Sequence, residues 1–191
     1  MSFQFTRAPN AESYQYEVVH ISDDMENTRS IFEVDQIDGN RETINVDKLE
    51  PGNHYILTVS SVANEQVGAK SKEIEFWTLP AVVRNLNVNF GVLEIEVWFE
   101  PAPGGVEYYD ITIAPKSNPT NIIDVRQLKK NEYFRFNSKS QFLKPEGEYV
   151  VTVTTFSGPD GFNSVKKEGK MKDAPIPIIE NANVDNKDTL R

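Results

Sequence analysis

Cysteine is absent from the 191 residues. That excludes disulfide frameworks, cysteine-ligated zinc, iron–sulfur clusters and every thiol nucleophile. Histidine is scarce: His20 and His54 are the only two, too few for a histidine-rich metal site or a histidine-based relay. No apolar run approaches the roughly 18 residues of a membrane span, and the Met1 end lacks the basic-then-apolar pattern of a signal peptide. Gly-x-Ser-x-Gly, His-Glu-x-x-His, phosphate-loop and dinucleotide fingerprints are all missing. The chain is therefore expected to be non-catalytic, with no cofactor and no metal; the carboxylates do not have the spacing of a calcium loop. Lys and Arg, 20 in all, are outnumbered by 29 Asp and Glu, for a net charge of −9. Such a balance argues against a nucleic acid or an anionic membrane surface as partner.

Aromatic side chains are present in quantity: 11 Phe, 7 Tyr and 2 Trp within an apolar fraction of 38%, enough to build a core. The apolar pattern has the period of strands. Leu93, Ile95, Val97 and Phe99 alternate with Glu94, Glu96, Trp98 and Glu100, giving one buried and one solvated face. Tyr55, Leu57, Val59 and Tyr149, Val151, Val153 alternate likewise, as do the pairs Ile111/Ile113, Ile74/Phe76 and Phe134/Phe136. Turn signals such as Asp38-Gly39, Pro51-Gly52, Pro103-Gly-Gly105 and Gly158-Pro-Asp-Gly161 separate them. No window shows sustained helical spacing. The expected class is all-β, built as small sandwiches of short antiparallel strands.

The pattern occurs twice. Leu49-Glu-Pro-Gly-Asn-His-Tyr55-Ile-Leu-Thr-Val59 recurs 94 residues on as Leu143-Lys-Pro-Glu-Gly-Glu-Tyr149-Val-Val-Thr-Val153. Phe3-Gln-Phe5-Thr-Arg-Ala8-Pro9 recurs at the same offset as Val97-Trp-Phe99-Glu-Pro-Ala102-Pro103, and Tyr14 and Tyr108 are also 94 apart. One offset at separate anchors implies two copies of a unit of about 90 residues. The expected units are 1–79 and 80–174, with Pro80 ending the last strand of the first, and 175–191 as linker or tail. The short apolar stretch from Leu79 to Val83 should pack rather than dangle.

Leu-x-Pro-Gly-x-x-Tyr-x-x-x-Val before a strand resembles the fibronectin type III domain. Leu49 and Tyr55, then Leu143 and Tyr149, match its tyrosine corner, whose hydroxyl bonds back to nearby backbone. Thr78-Leu-Pro80 resembles the end of such a domain. Val83-Arg-Asn-Leu86-Asn-Val88, the stretch from Leu93 to Pro101, and Tyr109-Asp-Ile-Thr-Ile113 resemble the first three strands of the next. The resemblance spans about residues 1–172 and implies two immunoglobulin-like sandwiches in tandem. The first copy starts at what should be its second strand, so its first strand is missing or supplied by the residues before Phe3. Glu146-Gly147 stands where Pro-Gly order is usual, and 133–143 is longer than its counterpart. The second copy, with Val97-Trp-Phe-Glu-Pro-Ala-Pro-Gly-Gly-Val-Glu-x-Tyr109, is similar to ectodomain repeats of receptor-type protein tyrosine phosphatases and of related cell-adhesion receptors.

That resemblance implies a non-catalytic extracellular recognition segment of a single-pass plasma-membrane receptor, whose parent could carry a phosphatase domain. Its partner would be a protein or an acidic glycan, with no direct membrane contact by this segment. The alternatives are an intracellular structural array, favoured by the lack of Asn-x-Ser/Thr sequons, and a spacer module of a secreted enzyme. Candidate partner contacts are Asp23, Asp24, Glu26, Trp98, Phe162, Lys166 and Lys167. Residues 1–80 hold 6 basic and 14 acidic side chains, net −8, against 12 and 11 in 81–172, so the first unit could steer a basic partner. The basic residues of the second cluster as Arg126, Lys129, Lys130 and Lys166, Lys167, Lys170, Lys172, either as solvated strand faces or as a glycan strip. His54 reads as a solvated turn residue and His20 as an ordinary strand-end residue. Phe5 and Phe99 are expected in the core, with Trp98 outward unless a bulge turns it in.

Overall fold

The computed structural model describes residues 1–22, 28–130, 132 and 134–174. The expected linker or tail at 175–191 and the candidate contacts Asp23, Asp24 and Glu26 lie outside the described residues. The described chain is all-β: two sandwiches in tandem.

In the first sandwich, β1 (Ser2–Gln4) pairs with β4 (Thr43–Asn45) as a small sheet. The larger sheet has the order β3 (Arg29–Asp38), β2 (Ser13–Ile21), β5 (His54–Ala63) and β6 (Gln66–Lys70), with β7 (Ile74–Trp77) also on β5. Alternation sets the faces. Tyr16 and Val18 from β2 and Tyr55 and Leu57 from β5 meet Ile44 and Val46 in the core, with Phe3, Phe5, Leu49 and Phe76 packed around them. The last strand is broken at Ser71, whose hydroxyl accepts from Val59 N at 3.0 Å and displaces the ladder. Among the described residues nothing pairs with the outer edge of β1, which contains Phe3 itself.

In the second sandwich, β12 (Arg135–Ser138), β9 (Ile95–Glu100) and β8 (Arg84–Phe90) form the small sheet. The larger one runs β11 (Asp124–Lys129), β10 (Tyr108–Pro115), β13 (Glu148–Ser157) and β14 (Gly161–Lys170). Ile95, Val97 and Phe99 face Tyr109, Ile111, Ile113, Val151 and Val153 across the core.

Four expectations are corrected. Leu93 is 60% exposed, because β9 begins only at Ile95 and Leu93 sits in the turn closed by Gly91 N on Glu94 O at 2.8 Å. Ile74 is exposed at the start of β7, while its partner in the pattern, Phe76, packs against the core. Phe5 is only half-buried; it follows β1 and lies edge-on to Tyr14, with ring centroids 4.6 Å apart. Finally, Tyr14 is equivalent to Tyr109 and not to Tyr108. Tyr14 Oη accepts from Ala8 N at 2.8 Å, and Tyr109 Oη accepts from Ala102 N at 3.2 Å. One extra residue after Ala102 shifts the register.

The uniform offset of the repeat is thus a cancellation. Phe3 pairs with Ile44 and Val97 with Phe136, so that fourth-strand equivalent is two residues early. A longer connection from Phe136 to Leu143 than from Ile44 to Leu49 restores the spacing before the tyrosine corner.

Candidate binding cleft at the junction

The two tyrosine corners are structural. Tyr55 is buried and its hydroxyl accepts from Glu50 N at 3.1 Å. Tyr149 accepts from Lys144 N at 2.9 Å and donates to Phe142 O at 3.2 Å. Leu143 is buried and Leu49 half-buried beside these turns. Burial raises the Tyr55 hydroxyl pKa above its ordinary value. Gly52 takes the left-handed φ of 69° in the first turn, and Glu146 takes φ 60° at the equivalent place in the second. Moving the glycine to 147 therefore forces a glutamate into a conformation that glycine adopts freely. In return, Gly147 leaves room for the Tyr149 ring, which a Cβ would approach to 2.7 Å.

The first of these turns also joins the two sandwiches. Gly105 N donates to Pro51 O at 2.9 Å and Ser157 Oγ donates to Gly52 O at 2.5 Å. Thr78 ties the same turn to the connecting strand: its hydroxyl accepts from Asn53 N at 3.0 Å and donates to Glu50 O at 2.6 Å. Pro80 and Val83 are buried, Ala81 packs on the second core, and Leu79 stays exposed. Asn163 Nδ2 reaches Pro80 O at 3.3 Å. The approach is close enough that Gly52 and Gly105 leave no room for a Cβ on either.

Beside this joint lies a cleft of about 660 Å³. On one side His54 stacks on Trp77, with centroids 4.0 Å apart and planes 9° from parallel. On the other, Tyr108 stacks on Phe156 at 4.6 Å, and Phe162 follows at 6.2 Å from Phe156. These rings are brought together by register: Tyr108 faces Phe156, and Phe156 faces Phe162, on the outer face of the large sheet. Glu107 and Asp160 complete the lining. The expectation for His54 is therefore overturned. Its side chain is 18% exposed and its Nε2 lies 3.6 Å from Glu75 Oε2, because the strand pairing sets it opposite Trp77. His20 points toward Tyr55, with centroids 5.4 Å apart, and so belongs to the core side of β2.

The remaining candidates are dispersed. Phe162 is 62% exposed at the cleft. Lys166 shares the outer face with it. Lys167, one residue on, points the other way and donates to Leu86 O at 3.4 Å, so the two lysines do not make one strip. Lys170 pairs with Glu146, and Glu168 between them with Lys116. Trp98 is 39% exposed on the opposite sheet while Phe99 is 6% exposed; no bulge turns the tryptophan inward. Trp98 lies between Arg135 and Asn87 in the ladder. Glu96 on the same face accepts from Asn89 and from Arg135, which together hold its carboxyl below the usual range. Trp77, Glu107 and Asp160 carried no signal in the sequence beyond their places at strand ends or turns, and the repeat offset of Tyr108 pointed to the place that Tyr109 takes. Among the described residues, no group of three His, Asp or Glu could hold a metal ion.

No family model matches the sequence. Among solved structures, a segment of two fibronectin type III domains from chicken tenascin is similar over 89% of this chain and 91% of its own length, at 14% identity and a TM-score of 0.65. The FN1-FN3 domains of chicken CNTN1 match over 90% of this chain and 60% of theirs, at 15% identity and a TM-score of 0.43. A computationally redesigned β-sandwich matches over 50% of this chain and 94% of its own, at 15% identity and a TM-score of 0.44. The fold of this chain is two fibronectin type III sandwiches in tandem.

Proposed function

We propose that this chain is a non-catalytic recognition segment in the extracellular part of a cell-surface receptor, and that its ligand is a protein. The units would be 1–79 and 80–174. The resemblance of the second unit to repeats of receptor-type protein tyrosine phosphatases makes that receptor class the preferred parent. The observation that carries the reading is the joint: Ser157 Oγ on Gly52 O and Gly105 N on Pro51 O hold the two sandwiches in one orientation. A fixed joint with an aromatic cleft beside it presents one composite surface, where a flexible linker would present two. A protein ligand is preferred over an acidic glycan because the basic residues are split between faces or already paired.

The acidic first unit would contribute by steering. Neutralising Asp35 and Asp38 together should lower the on-rate for a basic ligand and flatten its dependence on salt. Location is tested by tagging the parent protein at this segment and treating intact cells with protease. Loss of the tag before permeabilisation supports the receptor reading; protection until permeabilisation refutes it and favours the intracellular array.

A further inference from the structure

The lining of the junction cleft has a chemistry of its own. Its walls are aromatic and its charge is negative: Glu107 and Asp160 line it, and neither lysine nor arginine does. Lys129 pairs with Tyr108 and shares its outer face, but it flanks Tyr108 on the β11 side, across the strand from Phe156, and does not line the cleft. Glu107 Oε1 accepts from Gly158 N at 2.9 Å, which holds the carboxylate in place and leaves its second oxygen for another donor. Asp160 has no partner among the described residues.

The walls are held rigid by packing. The Trp77 plane is set by its stack on His54. It is also pinned by Gly158, which sits in the left-handed region at φ 64° and whose Cβ, if it had one, would meet Trp77 Cδ1 at 2.6 Å. Tyr108 and Phe156 fix one another. Phe162 stands exposed at the mouth. An open Phe162 beside half-buried Trp77, Tyr108 and Phe156, with two carboxylates at a concave site, makes an apolar patch of the kind a partner covers.

We propose that this cleft receives an arginine side chain presented by a protein partner. A planar guanidinium stacks on aromatic faces, is attracted by their ring quadrupoles, and donates in a fork that carboxylates accept. Lysine would satisfy the charge without the stacking. Anionic and neutral ligands would meet Glu107 and Asp160 with nothing to offset them. The net charge of −8 on residues 1–80 adds a field of the sign that attracts such a partner. This deepens the reading above and rests on it only for the partner being a protein.

The probe is N-acetyl-arginine amide, titrated into the isotope-labelled whole chain and followed by NMR, with N-acetyl-citrulline amide as the neutral isostere. The expected result is a saturable shift of the Trp77 indole N–H and of the Gly158 and Gly161 amides with arginine but not with citrulline. Binding should weaken about threefold to tenfold in Asp160→Asn and in Phe162→Ala, with urea melts unchanged. Glu107→Gln, which keeps an acceptor for Gly158 N, should weaken it likewise. Equal shifts with citrulline, no saturation, or shifts centred on Glu94, Glu96 and Glu100 would overturn the proposal. The titration reports on the cleft wherever the parent protein resides. A negative result beside surface accessibility on cells leaves the receptor reading standing and moves its contact elsewhere.

Discussion

Gly105→Ala isolates the joint between the sandwiches from everything else in the molecule. Gly105 is not in the left-handed region, so alanine meets no backbone strain there. The new Cβ would instead overlap the carbonyl oxygen of Gly52 and lie 2.8 Å from its carbonyl carbon. Both are backbone atoms, so no side chain can swing aside. Relief requires the turn at Pro51-Gly52 to retreat by roughly 1 Å, which stretches the Gly105–Pro51 and Ser157–Gly52 hydrogen bonds past useful length. Each is worth about 0.5–1.5 kcal/mol net, so the coupling between the sandwiches should fall by about 1–3 kcal/mol. Neither core is touched. The expected variant keeps two folded sandwiches that tumble with separate correlation times in NMR relaxation and give a broader scattering distance distribution. Its urea unfolding should divide into two transitions, each nearer that of a single sandwich. A variant with unchanged tumbling and one unchanged transition would show that the joint carries no coupling, and the reasoning would fail.

Tyr149→Phe loses two hydrogen bonds and Tyr55→Phe one, so urea melts should show costs of about 2 and about 1 kcal/mol respectively; two unchanged variants would refute the structural role of both hydroxyls. Burial raises the hydroxyl pKa of Tyr16, Tyr55 and Tyr109, and Tyr16 also donates to Glu33. The folded state therefore holds these protons where the unfolded chain releases them, and their contribution, complete below the ordinary tyrosine value of about 10, should fall as pH rises above it. Denaturant melts across that range should show the decline, and Tyr16→Phe should make it shallower. In a Trp77→Phe background, Trp98 emission should be red-shifted and open to iodide and acrylamide; a blue-shifted, shielded Trp98 would contradict its outward placement.

Much of the fold is legible in single residues. Alternation over Ile95 to Phe99 and over Tyr149 to Val153 names the strands and their buried faces, since a strand's side chains change face at every step. Phe99 in and Trp98 out follows from that period alone. The tyrosine corners are readable because their hydroxyls bond within five to seven residues of the ring. The same period explains the failures. Leu93 continues the alternation on paper, yet the strand starts two residues later, and a pattern cannot mark where pairing begins. Tyr108 keeps the repeat's offset, yet one extra residue after Ala102 flips the face, so Tyr109 takes the inward place and Tyr108 joins the outer row.

The sequence by itself determined the class, the two copies and the core-facing residues of the strands that alternate cleanly, such as Tyr55, Leu57, Ile95, Val97 and Phe99, because these depend on local spacing and on which side chains leave water. It determined the sign of the first unit's charge as well. Only the tertiary structure decided the joint and the cleft. Ser157 and Gly52 are 105 residues apart, and Trp77 and Gly158 meet from different sandwiches. Which turn docks on which, and which rings are left open at the seam, depends on the fit of two finished surfaces. No period within either half encodes that fit.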